Sequence, residues 1–551
     1  MRIGYMSLTA LTALASALSP CEASASGSAD GVALRYHFAG AVDLAGNTNF
    51  SQAKMILNLL PARQFRDLVL DRLAGAAWNA LQFDPGGDAN ALLRPLFNDL
   101  LQAESAGSFG GRDKDRMEFV LAARLDAKSA EAWQKNLAAA LHGQGEPLAA
   151  EEFQGWRWTR PGSHALWMLR ARDWVVTGCG EDLTPIRNEY LKGIKKDNRP
   201  AAVTKDAWLG AEVDWPLLAT WAPLSNCPAK LARTRVEVTA SSGRFRTTAY
   251  VSYPEAAPWG SQPWRIPKEL VSGPLSSFTA AQNLAAFMNP DQTFSRLSSN
   301  PLTNQFFCWA LREMALQSYA ACPVTDATNA LRKLGAEAPA VFNPFLQARD
   351  RTQLNWNSNN DQLAWTHLQL TSPTLKPFRD KNGDFLMAEV FPMDPKQHPA
   401  PDQLFSQIEG RANLVYYDWE LTSQRLKQWR LMTEVLPVFP PPTAADIARW
   451  RKAAHDAKPP VMADQPRTPF AITEEWLAEL SNPALNNTVT EVTRTSPTEL
   501  KIMRNSQFLF TGFELVVLSH WLADAPVGPI DYTLLPRATM TGPGMPSSPP
   551  R

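Results

Sequence analysis

Residues 208–221 lie over residues 416–429 without a gap, at a constant offset of 208. In that register Glu212 meets Glu420, Leu218 meets Leu426 and Trp221 meets Trp429. Each copy reads as an alternating strand that runs directly into a helix. A match of this kind implies that the chain uses one arrangement twice, so each half can be read against the other.

The segments around the match repeat too. Residues 119–125 read as a strand followed by a helix over 129–141; residues 316–322 precede a helix over 326–334. Further strands follow at 155–159 and 165–178 in the first half, and at 363–370 and 384–391 in the second. Strand, helix, strand, strand, helix, strand is the split βαβ order. It predicts an α+β fold of two duplicated ferredoxin-like halves with antiparallel sheets, plus helical additions. A hairpin over 235–252 closes the first half.

Helices are expected over 51–60 and 62–81, broken by Pro61. Thr279 to Gln282 and Thr511 to Glu514 both match the capping box that opens a helix, the first running to Met288. Behind the second, Phe513, Val516, Val517 and Trp521 recur at helical spacing. The second half is thus expected to end in a helix where the first ends in a hairpin. The expected division is a signal peptide at 1–25, a first repeat at 26–260 and a second at 261–535. A helical insertion is expected at 440–475 and a disordered tail at 536–551.

Arg2, the uncharged apolar stretch 3–18 and Ala23-Ser24-Ala25 have the layout of a secretory signal, cut after Ala25. An alternative is a lipoprotein anchored through Cys21, although Pro20 departs from that pattern. The chain is expected to be exported, periplasmic or extracellular, with no membrane span in the mature protein. Cys179, Cys227, Cys308 and Cys322 then remain, either as thiols or in up to two disulfides. Cys308 and Cys322 face each other if a hairpin is centred near Ala315.

Lys and Arg total 54 and so do Asp and Glu, a balance that argues against a nucleic-acid partner. No two of the seven histidines stand at metal-ligand spacing, and no Cys-x-x-Cys, P-loop, dinucleotide fingerprint or Gly-x-Ser-x-Gly occurs. Ser51-Gln52-Ala53-Lys54 matches Ser-x-x-Lys, but its companion Lys-Thr-Gly is missing. Asp380, Asn382 and Asp384 begin like a calcium loop, yet Phe385 and Phe391 stand where Gly and Glu are needed. An Asn-Gly hairpin turn explains them better. No cofactor, metal or catalytic residue is expected.

Alternation assigns the faces of the repeated strand. Ala207, Leu209, Ala211 and Val213, and in the second copy Val415, Tyr417, Trp419 and Leu421, are expected in the core. The opposite face then carries Trp208, Glu212 and Asp214 in one copy and Tyr416, Asp418 and Glu420 in the other. If the halves meet around a twofold axis, these six residues line a shared ligand groove. Carboxylates about 5–9 Å apart beside an aromatic platform suit glycoside hydrolysis.

Three phrases carry a family resemblance: residues 274–279, residues 413–420 and the ending 499–521. With them the chain resembles a group of exported bacterial proteins with no assigned activity. The resemblance covers most of the mature chain and implies export and duplication. The reading that follows is an exported, non-catalytic binding or scaffold module of the bacterial envelope, with an envelope ligand or protein as partner. The alternative is a carbohydrate-active hydrolase using Glu212 and Glu420.

Overall fold

The computed structural model describes residues 31–522 apart from intervening stretches, the longest being 222–232, 284–303 and 436–468. The expected signal segment, Cys21, Cys227, most of the 440–475 insertion and the tail lie outside the described residues, as do residues 51–53 of the Ser-x-x-Lys match.

The described chain opens with β1 (Val32–Phe38), α1 (Ala41–Gly46), α2 (Leu60–Ala80), α3 (Ala89–Leu92) and α4 (Arg94–Gln102). Next come β2 (Ser105–Gly111), β3 (Met117–Arg124), α5 (Ala127–Ala140), β4 (Glu146–Ala150), β5 (Phe153–Trp158), β6 (Leu166–Ala171) and β7 (Trp174–Cys179). Then follow α6 (Thr184–Asp197), β8 (Leu209–Asp214), α7 (Trp215–Trp221), β9 (Arg233–Ser241) and β10 (Arg244–Ser252). The remainder begins with β11 (Ser272–Gly273), β12 (Leu275–Gln282), β13 (Gln305–Leu311), β14 (Ser318–Val324) and α8 (Ala327–Asp350). It continues with β15 (Gln353–Asn357), β16 (Gln362–Thr366), β17 (Thr374–Asp380), β18 (Gly383–Glu389), β19 (His398–Pro399) and α9 (Asp402–Ser406). It closes with β20 (Leu414–Leu421), α10 (Thr422–Val435), α11 (Pro469–Leu480), β21 (Asn487–Ser496), β22 (Glu499–Ser506) and α12 (Gly512–Leu522).

All strands but β11 and β19, which pair with each other, join one 20-stranded antiparallel sheet. In space the strands of the first part run β4-β5-β6-β7-β3-β2-β1-β8-β9-β10. Beyond β10 the order continues β22-β21-β20-β12-β13-β14-β18-β17-β16-β15. This overturns the expected pair of duplicated ferredoxin-like halves. An independent half would leave β10 as an open edge, a row of unpaired backbone groups. Instead β10 pairs with β22 from Phe245↔Ser506 to Ser252↔Glu499, and the sheet passes through without a break. The helices are shared as well: Ala62 and Phe65 of α2 pack with Leu426, Trp476, Leu477, Leu515 and Val516 of α10, α11 and α12.

Two local expectations also change. Thr279 to Gln282 is not a helix start; it is the end of β12, hydrogen-bonded on one side to β13 and on the other to β20. Pairing on both edges outweighs a four-residue local signal. Residues 487–506 form the hairpin β21–β22 ahead of α12, so this part of the chain has both a hairpin and a helix. In β13–β14 Cys308 pairs with Ala320, which places Cys322 diagonally across; Cys308 and Cys322 are free thiols.

Burial follows from position in the sheet. β6 and β7 are almost wholly buried, because α5 and neighbours cover one face and α6 covers the other. Such strands read as continuous apolar runs rather than alternating ones. In β21 and β22 only every second residue is buried. No helix among the described residues is long and apolar enough to cross a membrane.

Candidate functional site

Strand register decides which side chains meet. Residues paired across antiparallel strands share a face, and neighbours along a strand alternate. Asp418 pairs with Thr279 on one side and Thr490 on the other; Glu420 pairs with Ser277 and Thr488. Thr490 in turn pairs with Arg504. One sheet face therefore gathers carboxylates, hydroxyls and a guanidinium from β12, β20, β21 and β22.

Two helices roof that face. α10 begins at the residue after β20, burying Leu426 and bringing Arg425 and Trp429 over the strand. α12 starts at the second capping box, which forms as the sequence predicts: the Thr511 hydroxyl accepts from the Glu514 N–H at 3.2 Å, and Glu514 accepts from the Thr511 N–H at 2.9 Å. Gly512 N–H donates to Glu420 Oε1 at 2.9 Å. A Cβ on Gly512 would meet the Leu426 backbone nitrogen at 2.8 Å, so only glycine lets α12 come this close to α10. Trp429 and Phe513 pack at 4.8 Å between ring centroids and close the roof.

Between roof and sheet lies a cavity of about 190 Å³, lined by Ser277, Thr279, Tyr416, Asp418, Glu420, Arg425, Trp429, Thr490, Val492, Arg504, Thr511, Phe513 and Glu514. It has room for about six waters. Glu420 and Glu514 are 4% and 3% exposed. Glu514 is fully committed: it takes two hydrogen bonds from Arg504, at 2.8 and 3.0 Å, besides its capping bond. Arg504 also donates to Thr490 at 3.1 Å and to the Leu509 carbonyl at 3.3 Å.

Asp418 and Glu420 differ from Glu514. Thr279 donates to Asp418 at 2.6 Å, but neither carboxylate has an ion-pair partner among the described residues. The nearby Arg425 lies over the Trp429 ring at 4.8 Å and donates to Gln428. Burial raises the Asp418 carboxyl above its usual range, against the pull of the Thr279 hydroxyl and of Arg425 and Arg504. Burial, then the charge of Asp418, pushes Glu420 up to about 7, although Gly512 N–H and Arg425 favour its anion. Tyr416 is held well above its usual value by burial and by the same carboxylates. Burial alone would weaken Arg504 as a base, but Glu514, Glu420 and Asp418 more than reverse that.

The structure brings Tyr416, Asp418 and Glu420 together in this cavity and places Trp208, Glu212 and Asp214 elsewhere. From β8 to β20 is five strand spacings, about 24 Å along the sheet. The faces differ too. Glu212 pairs with Arg235, then successively with Tyr250, Lys501 and Thr493. Thr493 is three residues from Thr490 on β21, so Glu212 projects from the opposite face to Asp418 and Glu420. Glu212 is exposed; Asp214 accepts from the Leu217 N–H and from Arg233; Trp208 packs on Phe38 and Phe245 and donates to the Gly40 carbonyl. The six residues do not form one groove.

The strand-to-helix junction explains the mismatch. β8 ends at Asp214 and β20 at Leu421, so counting from the junction puts Val213 with Glu420 and Ala211 with Asp418. That offset is one residue from the sequence match, and a one-residue slip exchanges the faces of a strand. Matching positions then read Leu34, Val213 and Thr234 against Ser277, Glu420 and Thr488. The next row reads Tyr36, Ala211, Val236 and Ala249 against Thr279, Asp418, Thr490 and Arg504. The same pairing order is thus built once with a mostly apolar row and once with a charged one.

Arg504 and Glu514 were not expected in the site. A legible signal for Arg504 exists: it interrupts the buried row begun by Leu500 and Ile502. A second, more open cleft of about 660 Å³ lies beside Glu104, whose carboxylate already meets His37, Arg124 and Arg199. No protein-family model, curated protein or solved structure matches the chain.

Proposed function

We propose that this chain is an exported, non-catalytic binding protein of the bacterial envelope, and that a small polar ligand seats in the cavity beneath α10 and α12. One observation carries the reading: at matching positions of one sheet, an apolar row is exchanged for carboxylates, hydroxyls and a guanidinium around a cavity. Burying unpaired carboxylates costs stability. The apolar row in the first part of the sheet supports the view that the fold does not require them. Export rests on the layout of residues 1–25.

Native and intact mass spectrometry on protein taken from its host envelope tests this. The expected result is a mature chain starting at Ser26 that carries a small molecule, with that adduct lost in the Asp418→Asn variant. A ligand-free wild type would contradict it, and a diacylated Cys21 species would replace the soluble form by an anchored one.

A second reading, hydrolysis of a glycoside, draws on Glu420 being pushed up to about 7 beside Asp418. The two stand two residues apart on one strand face, a backbone spacing of about 6.6 Å, and both carboxyls line the same cavity, as such a carboxylate pair requires. Glu420 would then be the acid and Asp418 its partner; Glu212 has no part in it. Glu420→Gln is expected to slow any glycan hydrolysis by at least about 100-fold. An unchanged rate would remove Glu420 from catalysis, and no hydrolysis by the wild type would leave binding alone.

A further inference from the structure

Three carboxylates and two guanidiniums line the cavity, leaving one negative charge in excess when all are ionised. The pairing is uneven. Arg504 and Glu514 satisfy each other, and Arg425 is drawn aside onto Trp429 and Gln428. The excess therefore sits on Asp418 and Glu420, which point from the same strand face into the space. Around them stand acceptors: the hydroxyls of Ser277, Thr279 and Thr490, and the phenol of Tyr416. The Trp429 and Phe513 rings supply an apolar wall.

We infer, building on the binding reading above, that the ligand is a small organic cation: a primary ammonium compound of about six to eight heavy atoms. Its –NH3+ group would sit between Asp418 and Glu420, with its carbon chain against Trp429 and Phe513. An ammonium group donates three hydrogen bonds and accepts none, which fits a lining rich in acceptors. It also cancels the single excess charge. A metal ion is a poorer fit, since no group of three His, Cys, Asp or Glu among the described residues is placed to hold one.

The pH dependence follows from every ionisable group facing the site. These are Tyr416, Asp418 and Glu420 from β20, Arg425 from α10, Arg504 from β22, Glu514 from α12, and Cys308 from the neighbouring β13, whose thiol burial pushes up. Of these, Glu420 is the group pushed to about 7. A bound cation favours its anion, so binding should release a proton as pH falls below that value.

The test compares two compounds that differ in one group, 4-amino-1-butanol and 1,4-butanediol, by isothermal titration calorimetry on the mature wild-type protein. At about pH 8 the amine should bind at least tenfold more tightly than the diol. Its affinity should weaken about tenfold by about pH 6 if Glu420 must ionise. Asp418→Asn, which keeps the side-chain shape, should lose at least tenfold in amine affinity while melting as a folded protein. Equal affinity for both compounds, or preference for the diol, would overturn the cation and leave a neutral-ligand site standing. Amine binding unchanged in Asp418→Asn would overturn the placement. If neither compound binds, the cation is refuted. If no small molecule of any charge binds either, the site itself falls with it.

Discussion

Glu420 is 4% exposed and its carboxyl is pushed up to about 7, so in the folded protein it stays protonated over a range where the unfolded chain has already lost that proton. The sign follows. Between about pH 4.3, the unfolded value, and about pH 7, the folded state binds more protons. Stability should therefore fall as pH rises through that window, by an amount on the order of 3 kcal/mol, and level off above it. Urea unfolding of wild type and Glu420→Gln from about pH 5 to pH 8 checks this. The wild type should lose more stability across the range than the variant, in which Asp418 alone keeps a raised carboxyl; parallel curves would mean that Glu420 ionises freely. At this scale the repeat made Tyr416, Asp418 and Glu420 legible. It could not expose Arg504 and Glu514, which reach the site from other elements through long-range pairing.

At the scale of elements, α12 is held where its first turn meets Glu420. Thr511→Ala removes one arm of the capping box and should cost about 1 kcal/mol. Gly512→Ala should cost more, because its Cβ would run into the Leu426 backbone. Thermal melts of both variants give the order; Gly512→Ala as stable as wild type would show that α12 can shift away from α10. The capping-box pattern was a sound guide at residues 511–514 and a poor one at 279–282. The difference is physical. At 279–282 the backbone finds partners on both sides, in β13 and β20, and the Thr279 hydroxyl serves Asp418 instead of a helix end. Residues 165–178, expected as one strand, form two, β6 and β7: both are buried along nearly their whole length, so no alternation marked the turn between them.

For the whole molecule, the repeated strand-to-helix unit was visible in the sequence, but the sheet that holds it was not. Pairing of β10 with β22 depends on the edges left free after each strand run has formed, and no local pattern encodes that. The same limit misled the groove of Glu212 and Glu420. Similarity at an offset of 208 placed them together, while the junctions of β8 and β20 set the structural offset one residue away and turned the two side chains to opposite faces. Once the faces are correct, the sheet contains its own comparison: Ala211, Val213 and Ala249 show what these positions hold where no charge is present.

That comparison points to one decisive measurement, the unfolding free energy in urea of a variant carrying Asp418→Val, Glu420→Leu, Arg504→Met and Glu514→Gln. Gln at the last position keeps the capping box. If the charged row serves a ligand rather than the fold, the variant should be as stable as wild type or more so, by up to a few kcal/mol, as when buried ion clusters give way to apolar residues of similar volume. A loss of more than about 3 kcal/mol, the usual consequence of breaking a needed buried pair, would contradict the account and make the cluster a part of the scaffold.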